Sequence, residues 1–114
     1  MSVRKKIVIV DDHRIFREGI SFLVSQMQDY EIAGEACDGA SFLQLIDMVI
    51  PDIVLMDIAM PGINGVEAST VALKKYPHLK IIILTMSCEK LEYQLLTKAG
   101  VLGFILKDSG KEEL

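Results

Sequence analysis

No hydrophobic run in this 114-residue chain is long enough to serve outside a globular core. The apolar stretches at 7–10, 53–56 and 81–84 are four residues each, whereas a membrane-spanning helix needs about 20. The start Met-Ser-Val-Arg-Lys-Lys leads into no signal-peptide pattern. A soluble, cytoplasmic protein with no membrane partner is therefore expected. Cysteine is scarce: Cys37 and Cys88 make neither a disulfide framework nor a metal-ligand cluster, and both are expected as buried or half-buried thiols. Positive charge is also short, with 12 Lys and Arg against 16 Asp and Glu and a net charge of −4. That balance argues against nucleic-acid binding by this segment. Arg4-Lys5-Lys6 and Lys74-Lys75 read as a solvated strand flank and as cations at a helix C-terminus. No repeat, low-complexity tract or Pro/Gly/Ser-rich linker divides the chain, so one compact domain is expected over 1–114.

Hydrophobic residues, at 51% of the chain, supply ample material for a core. They are distributed as alternating strand-like and helix-like segments. Residues 6–10 form a β-branched run suited to a strand buried on both faces. Ile15, Phe16, Ile20, Leu23, Val24 and Met27 recur at helical spacing, which places them on the inward face of a first helix. Residues 30–37 alternate Ile32, Gly34 and Ala36 with Glu31 and Glu35, as a sheet-edge strand does. A second helix over 40–49 carries Phe42, Leu43, Leu45, Ile46 and Val49 inward, and Pro51 stops it. A buried strand at 52–57, a helix at 66–75, a strand at 79–85, a helix carrying Leu91, Leu95 and Leu96 that Gly100 caps, and a strand at 101–106 follow. Ser109-Gly-Lys-Glu112 has capping-box spacing and starts a fifth helix, which is truncated in this sequence; a longer polypeptide, or something else that covers the gap, is expected. Five βα units imply an α/β fold: a doubly wound, five-stranded parallel sheet with helices on both faces.

In such sheets, sites form beyond the carboxyl ends of the strands. Asp11 and Asp12 follow the first strand, Asp57 ends the third, Thr85 the fourth, and Lys107 follows the fifth. Hydrophobic patterning does not call for this set. Converging carboxylates repel unless a cation joins them, and hard oxygen donors around a small cleft suit Mg²⁺. Lys107 adds a mobile positive charge and Thr85 a hydroxyl donor, so the set suits an oxyanion arriving with or beside a metal. Phosphoryl transfer needs such positioning and charge neutralisation, and Asp57 can act as the nucleophile by forming an acyl phosphate. Each residue also has a plainer reading: Asp11-Asp12 as a helix N-cap, Asp57 as a strand-end turn residue, Lys107 as a snorkelling surface residue. His13 reads as a first-turn helix residue rather than a ligand or base, and His78 as a solvent-facing loop residue.

Several motifs resemble the bacterial response-regulator receiver domain: Ile-Val-Ile-Val-Asp-Asp-His at 7–13, Asp-Ile-Val-Leu-Met-Asp-Ile-Ala-Met-Pro-Gly at 52–62, Ile-Leu-Thr-Met-Ser at 83–87 and Gly-Phe-Ile-Leu-Lys-Asp at 103–108. The wording Asp-Asp-His-Arg-Ile-Phe-Arg-Glu-Gly-Ile resembles the NarL/FixJ (LuxR-type) subfamily. The resemblance implies strand order 2-1-3-4-5, as in flavodoxin-like folds, and a sensor histidine kinase as donor to Asp57. It implies Mg²⁺ held by Asp11, Asp12, Asp57 and the backbone carbonyl of Ala59, with Thr85 and Lys107 on the phosphoryl oxygens and Phe104 as switch aromatic. It further implies a phosphorylation-favoured homodimer and transcription regulation through a helix-turn-helix DNA-binding domain beyond residue 114. Met86 is larger than the residue many receivers carry there. Ala59 and Ser87 offer no strong general base, which implies slow self-hydrolysis. As a phosphoacceptor switch, the domain is not expected to be a turnover enzyme.

Three alternatives share parts of this pattern. A flavodoxin-like electron carrier needs a hydroxyl- and glycine-rich phosphate loop where this chain has Asp11-Asp12. An aspartyl-phosphate phosphohydrolase places Asp-x-Asp after its first strand, whereas here the acids are adjacent and the nucleophile follows the third. A pseudo-receiver acting only as a binding module would lack the acceptor or the acid pair.

Overall fold

The computed structural model describes residues 4–60, 62–85 and 89–106. Its strands are β1 (Lys5–Val10), β2 (Tyr30–Ala36), β3 (Ile53–Asp57), β4 (Lys80–Thr85) and β5 (Gly103–Leu106). Between them run α1 (Arg14–Ser25), α2 (Gly39–Met48), α3 (Gly65–Lys75) and α4 (Lys90–Ala99). The strands form one sheet in the order β2-β1-β3-β4-β5, and every neighbouring pair is parallel. This is the architecture and strand order expected. The fifth helix expected from Ser109 lies outside the described residues, as do Cys88 and Lys107.

Side-chain alternation along the strands divides the core between the two faces of the sheet. Val8, Val10, Val54, Met56, Ile81 and Ile83 pack on one face with Phe42 and Ile46 of α2, Ala68, Ala72 and Leu73 of α3, and Leu96 of α4. Ile7, Ile9, Leu55 and Leu84 face the other side with Ile20 and Val24 of α1. Ile53, Ile82 and Ile105 on that second face are only partly buried.

Local chemistry sets the helix ends. Asp38 caps α2 by accepting from the Ser41 N–H at 2.7 Å, and Asn64 caps α3 by accepting from the Glu67 N–H at 3.0 Å. Lys74 and Lys75 occupy the last turn of α3, where the dipole favours cations. Gly100 ends α4 with φ 103°, a left-handed conformation natural to glycine. At Gly65 the constraint is space: an added Cβ would stand 2.3 Å from the Asp57 carbonyl oxygen and 2.5 Å from Ile58 Cα. The absent side chain lets α3 begin directly against the end of β3.

Several expectations need correction. Ile15, read as inward, is 81% exposed. The i, i+4 row Phe16, Ile20, Val24 faces the sheet, and Ile15 lies on the neighbouring row with Gly19 and the exposed Phe22. Met27 is also exposed, lying beyond the end of α1. In α4 only Leu96 is buried, while Leu91 and Leu95 are exposed; a ten-residue helix lying over a sheet edge turns one narrow stripe inward. Cys37 is exposed rather than buried, because it follows the last paired residue of β2, Ala36, and so enters the loop.

Candidate functional site at the carboxyl edge of the sheet

The connection from β1 runs to one side of the sheet and β3 lies on the other, so the chain reverses direction between β1 and β3. A crevice opens beyond the strand ends at such a switch point. Asp11 and Asp12 follow β1 there, and Asp57 is the last residue of β3. Thr85 ends β4, the next strand along. The structure therefore brings together Asp11, Asp12 and Asp57, with Thr85 at the adjoining strand end. Phe104 lies in β5, in register with Ile83.

Burial makes this cluster chemically unusual. Asp11 is 0%, Asp57 2% and Thr85 3% exposed, while Asp12 reaches solvent. Single donor atoms of Asp11, Asp12, His13 and Asp57 all lie within 4.8 Å of one another. Carboxylates gathered this tightly in a poorly solvated place favour a cation among them.

Backbone contacts fix the two buried acids. The Asp11 N–H donates to the Ala36 carbonyl at 3.0 Å, tying the β1 loop to β2. Asp11 Oδ1 accepts from the His13 N–H at 2.7 Å, and Asp57 Oδ1 accepts from the Ala59 N–H at 3.1 Å. Arg17 braces the same loop: its guanidinium donates to the Asp11 carbonyl at 2.7 Å and to Glu35 at 3.2 Å. Arg17 does not stand out in the hydrophobic pattern, although its place one turn into α1, opposite the outward Glu35 of β2, is a usable signal.

Tyr93 carries no mark in the sequence pattern, and His13 differs from its expected place. His13 is the N-cap of α1, not a first-turn residue, and its side chain makes no capping hydrogen bond. Its ring lies against the acids instead. Nδ1 stands 3.0 Å from Asp11 Oδ1, 3.2 Å from Asp12 Oδ1 and 4.0 Å from Asp57 Oδ2. Tyr93 of α4 stacks on Phe104 with centroids 4.9 Å apart and an interplanar angle of 27°, so the partly buried Phe104 joins β5 to the exposed face of α4. His78 faces solvent, as expected.

The comparisons agree with this geometry. Residues 7–114 match the response regulator receiver domain family. The chain is 34% identical over 109 residues to the transcriptional regulatory protein DegU of Brevibacillus brevis, covering 96% of this chain and 46% of DegU. Among solved structures, it is similar to the signal receiver domain of the putative response regulator NarL from Mycobacterium tuberculosis, at 33% identity and a TM-score of 0.86, covering 96% of this chain and 89% of that one. It is also similar to a LuxR-family two-component response regulator from Aurantimonas sp. SI85-9A1, at 32% identity and a TM-score of 0.85, covering 92% and 75%. The chain spans about half the length of the curated relatives it matches. A matching family model over nearly the whole chain, on the same strand order and with an acidic cluster at the switch point, places it: the chain belongs to the response regulator receiver domain family, with relatives of the LuxR/NarL type.

Proposed function

We propose that this domain is a two-component phosphoacceptor switch in which Asp57 receives a phosphoryl group from a sensor histidine kinase. The observation that carries the reading is the convergence of buried Asp57 with Asp11 and Asp12 at the switch point. An Asp57 carboxylate oxygen attacks phosphorus as the donor's phosphorus–nitrogen bond breaks, and the leaving imidazole takes the electron pair. The Ala59 N–H, on the other carboxylate oxygen, holds the Asp57 side chain in one orientation for that attack.

The donor set fits Mg²⁺: three carboxylates in a small cleft, two of them buried, are hard oxygen ligands of the kind this ion takes. Asp11, Asp12, Asp57 and the Ala59 carbonyl are the proposed ligands. When bound, the ion neutralises charge on the transferring group. The Thr85 hydroxyl and Lys107 (the latter outside the described residues) bind the phosphoryl oxygens. Phosphorylation adds about −1.5 to −2 charge at Asp57, and the movement of Thr85 towards it biases Phe104 and the α4–β5 surface.

Among the described residues, no helix is long and apolar enough to cross a membrane. With the relatives about twice as long, the proposal extends to a cytoplasmic regulator in which this domain controls a DNA-binding output domain beyond residue 114, with phosphorylation favouring a homodimer. The test is intact mass after incubation with Mg²⁺ and acetyl phosphate. One phosphoryl adduct is expected, dependent on Mg²⁺ and absent from Asp57→Ala. An adduct that survives in Asp57→Ala would place the acceptor elsewhere.

A further inference from the structure

His13 is not used by the phosphoacceptor reading, yet its ring is held against the centre of the acidic cluster. We propose that His13 Nδ1 is a ligand of the cation site, and that it makes the site select borderline transition ions such as Mn²⁺, Co²⁺ and Ni²⁺ over Mg²⁺. This rests on the cluster being the cation site, and concerns which ions that site takes.

Two geometric facts point to a shared ion. Donor atoms about 2.1 Å from one octahedral ion stand about 3.0 Å apart when adjacent and about 4.2 Å apart when opposite. Nδ1 hydrogen-bonds Asp11 Oδ1 at 3.0 Å and lies 3.2 Å from an oxygen of Asp12 and 4.0 Å from one of Asp57, separations that ligands around a single centre also have. The second fact is that one ring nitrogen faces three carboxylate oxygens. A cation placed among them would touch all four atoms at once.

The backbone prepares this position in advance. As N-cap, His13 adopts an extended conformation with φ −96° and ψ 104°, and its N–H is already committed to Asp11 Oδ1. Ring and carboxylate are thus held from the same residue. The side chain is 65% exposed, so the remainder of the ring stays in solvent and no packing has to be broken for Nδ1 to bind. Imidazole suits later first-row ions, while Mg²⁺ favours oxygen. One nitrogen added to an oxygen set therefore strengthens the rising order Mn²⁺, Co²⁺, Ni²⁺ and leaves Mg²⁺ little changed.

The experiment titrates wild type, His13→Ala and Asp57→Asn with Mg²⁺, Mn²⁺, Co²⁺ and Ni²⁺ separately, and records nitrogen-14 modulation in the pulsed electron paramagnetic resonance of bound Mn²⁺. His13→Ala should weaken Co²⁺ and Ni²⁺ binding by roughly tenfold or more while Mg²⁺ affinity stays within about twofold, and the histidine nitrogen modulation should vanish. Asp57→Asn should weaken all four ions. The proposal is overturned if His13→Ala weakens Mg²⁺ and Ni²⁺ alike, or if Ni²⁺ affinity is unchanged and no histidine nitrogen couples to Mn²⁺. Full-strength binding of all four ions in Asp57→Asn would instead overturn the cluster as the cation site, and this proposal with it.

Discussion

Gly65→Ala should disturb both stability and the site, because the new methyl group would point at the backbone that carries Asp57. Its Cβ would stand 2.3 Å from the Asp57 carbonyl oxygen, 2.5 Å from Ile58 Cα and 2.9 Å from the Asp57 carbonyl carbon. Ordinary non-bonded contact needs about 3.5 Å, so α3 and the end of β3 must separate by roughly 1 Å. No flexible side chain can yield instead, and the hydrogen bond from the Gly65 N–H to the Ile58 carbonyl, now 3.1 Å, lengthens with that movement. Overpacking of this kind costs about 1–3 kcal/mol, offset by at most about 1 kcal/mol of improved helix propensity. With a urea slope of about 1–3 kcal/mol/M, the midpoint should fall by roughly 0.5–1 M. Gly19→Ala is the matched control: it lies within α1 with nothing within 4 Å of an added Cβ, so only the propensity gain of about 0.5–1 kcal/mol remains and the midpoint should rise. Urea unfolding followed by circular dichroism gives both numbers, and metal titration of each variant shows whether Asp57 has moved. Equal midpoint shifts of the same sign in the two variants would refute the steric argument.

Other outcomes follow from individual contacts. Ser69 is fully buried in α3, and its Oγ has no hydrogen-bond partner among the described residues; Ser69→Ala should stabilise the domain by about 1 kcal/mol, and a loss of stability in thermal unfolding would mean that the hydroxyl is satisfied. Phe42, at 0% exposure in the core, should cost about 3–5 kcal/mol when replaced by alanine, as measured by urea unfolding; a cost under about 1 kcal/mol would mean that the α2 face is not packed as described. Asp47 lies below the ordinary carboxylate value of 3.8, first through its hydrogen bond from Lys75 Nζ and then through that from the Tyr76 hydroxyl, and the same contacts raise Lys75 above 10.5 and Tyr76 above 10.0. A lowered acid contributes stability above its unfolded value that disappears as pH falls through the folded one. The raised Lys75 and Tyr76 contribute below theirs and lose it as pH rises. Asp47→Asn should therefore flatten the melting temperature profile on its acid flank below about pH 3.8 and its alkaline flank above about pH 10. Because this cluster is at the surface, wild type should approach the variant at high salt; a difference insensitive to salt would point to packing instead.

The sequence alone determined the order of elements and the place of the acids. Continuous apolar runs at 7–10, 53–56 and 81–84, rich in Ile and Val, suit strands covered on both faces, and the helical spacing between them points to a parallel sheet. The site residues were legible for a related reason: Asp11, Asp12, Asp57 and Thr85 break their apolar runs at the same end of each strand, where a polar residue is placed by chain direction and not by packing. Tertiary structure alone decided which side chains share a face and which meet. Ile15 and Phe16 are equally apolar, but the turn of the helix against the sheet buries one row and exposes the other. Nothing in the sequence marks Gly65 until α3 is seated within van der Waals reach of the Asp57 carbonyl. His13 is one more polar residue at a helix start until the loop after β1 folds its ring onto Asp11, Asp12 and Asp57, residues from two strands 46 positions apart (Asp11 to Asp57) in the chain. Periodicity records the burial of each residue along its own element; contacts between elements depend on crossover geometry and sheet twist, which no local pattern contains.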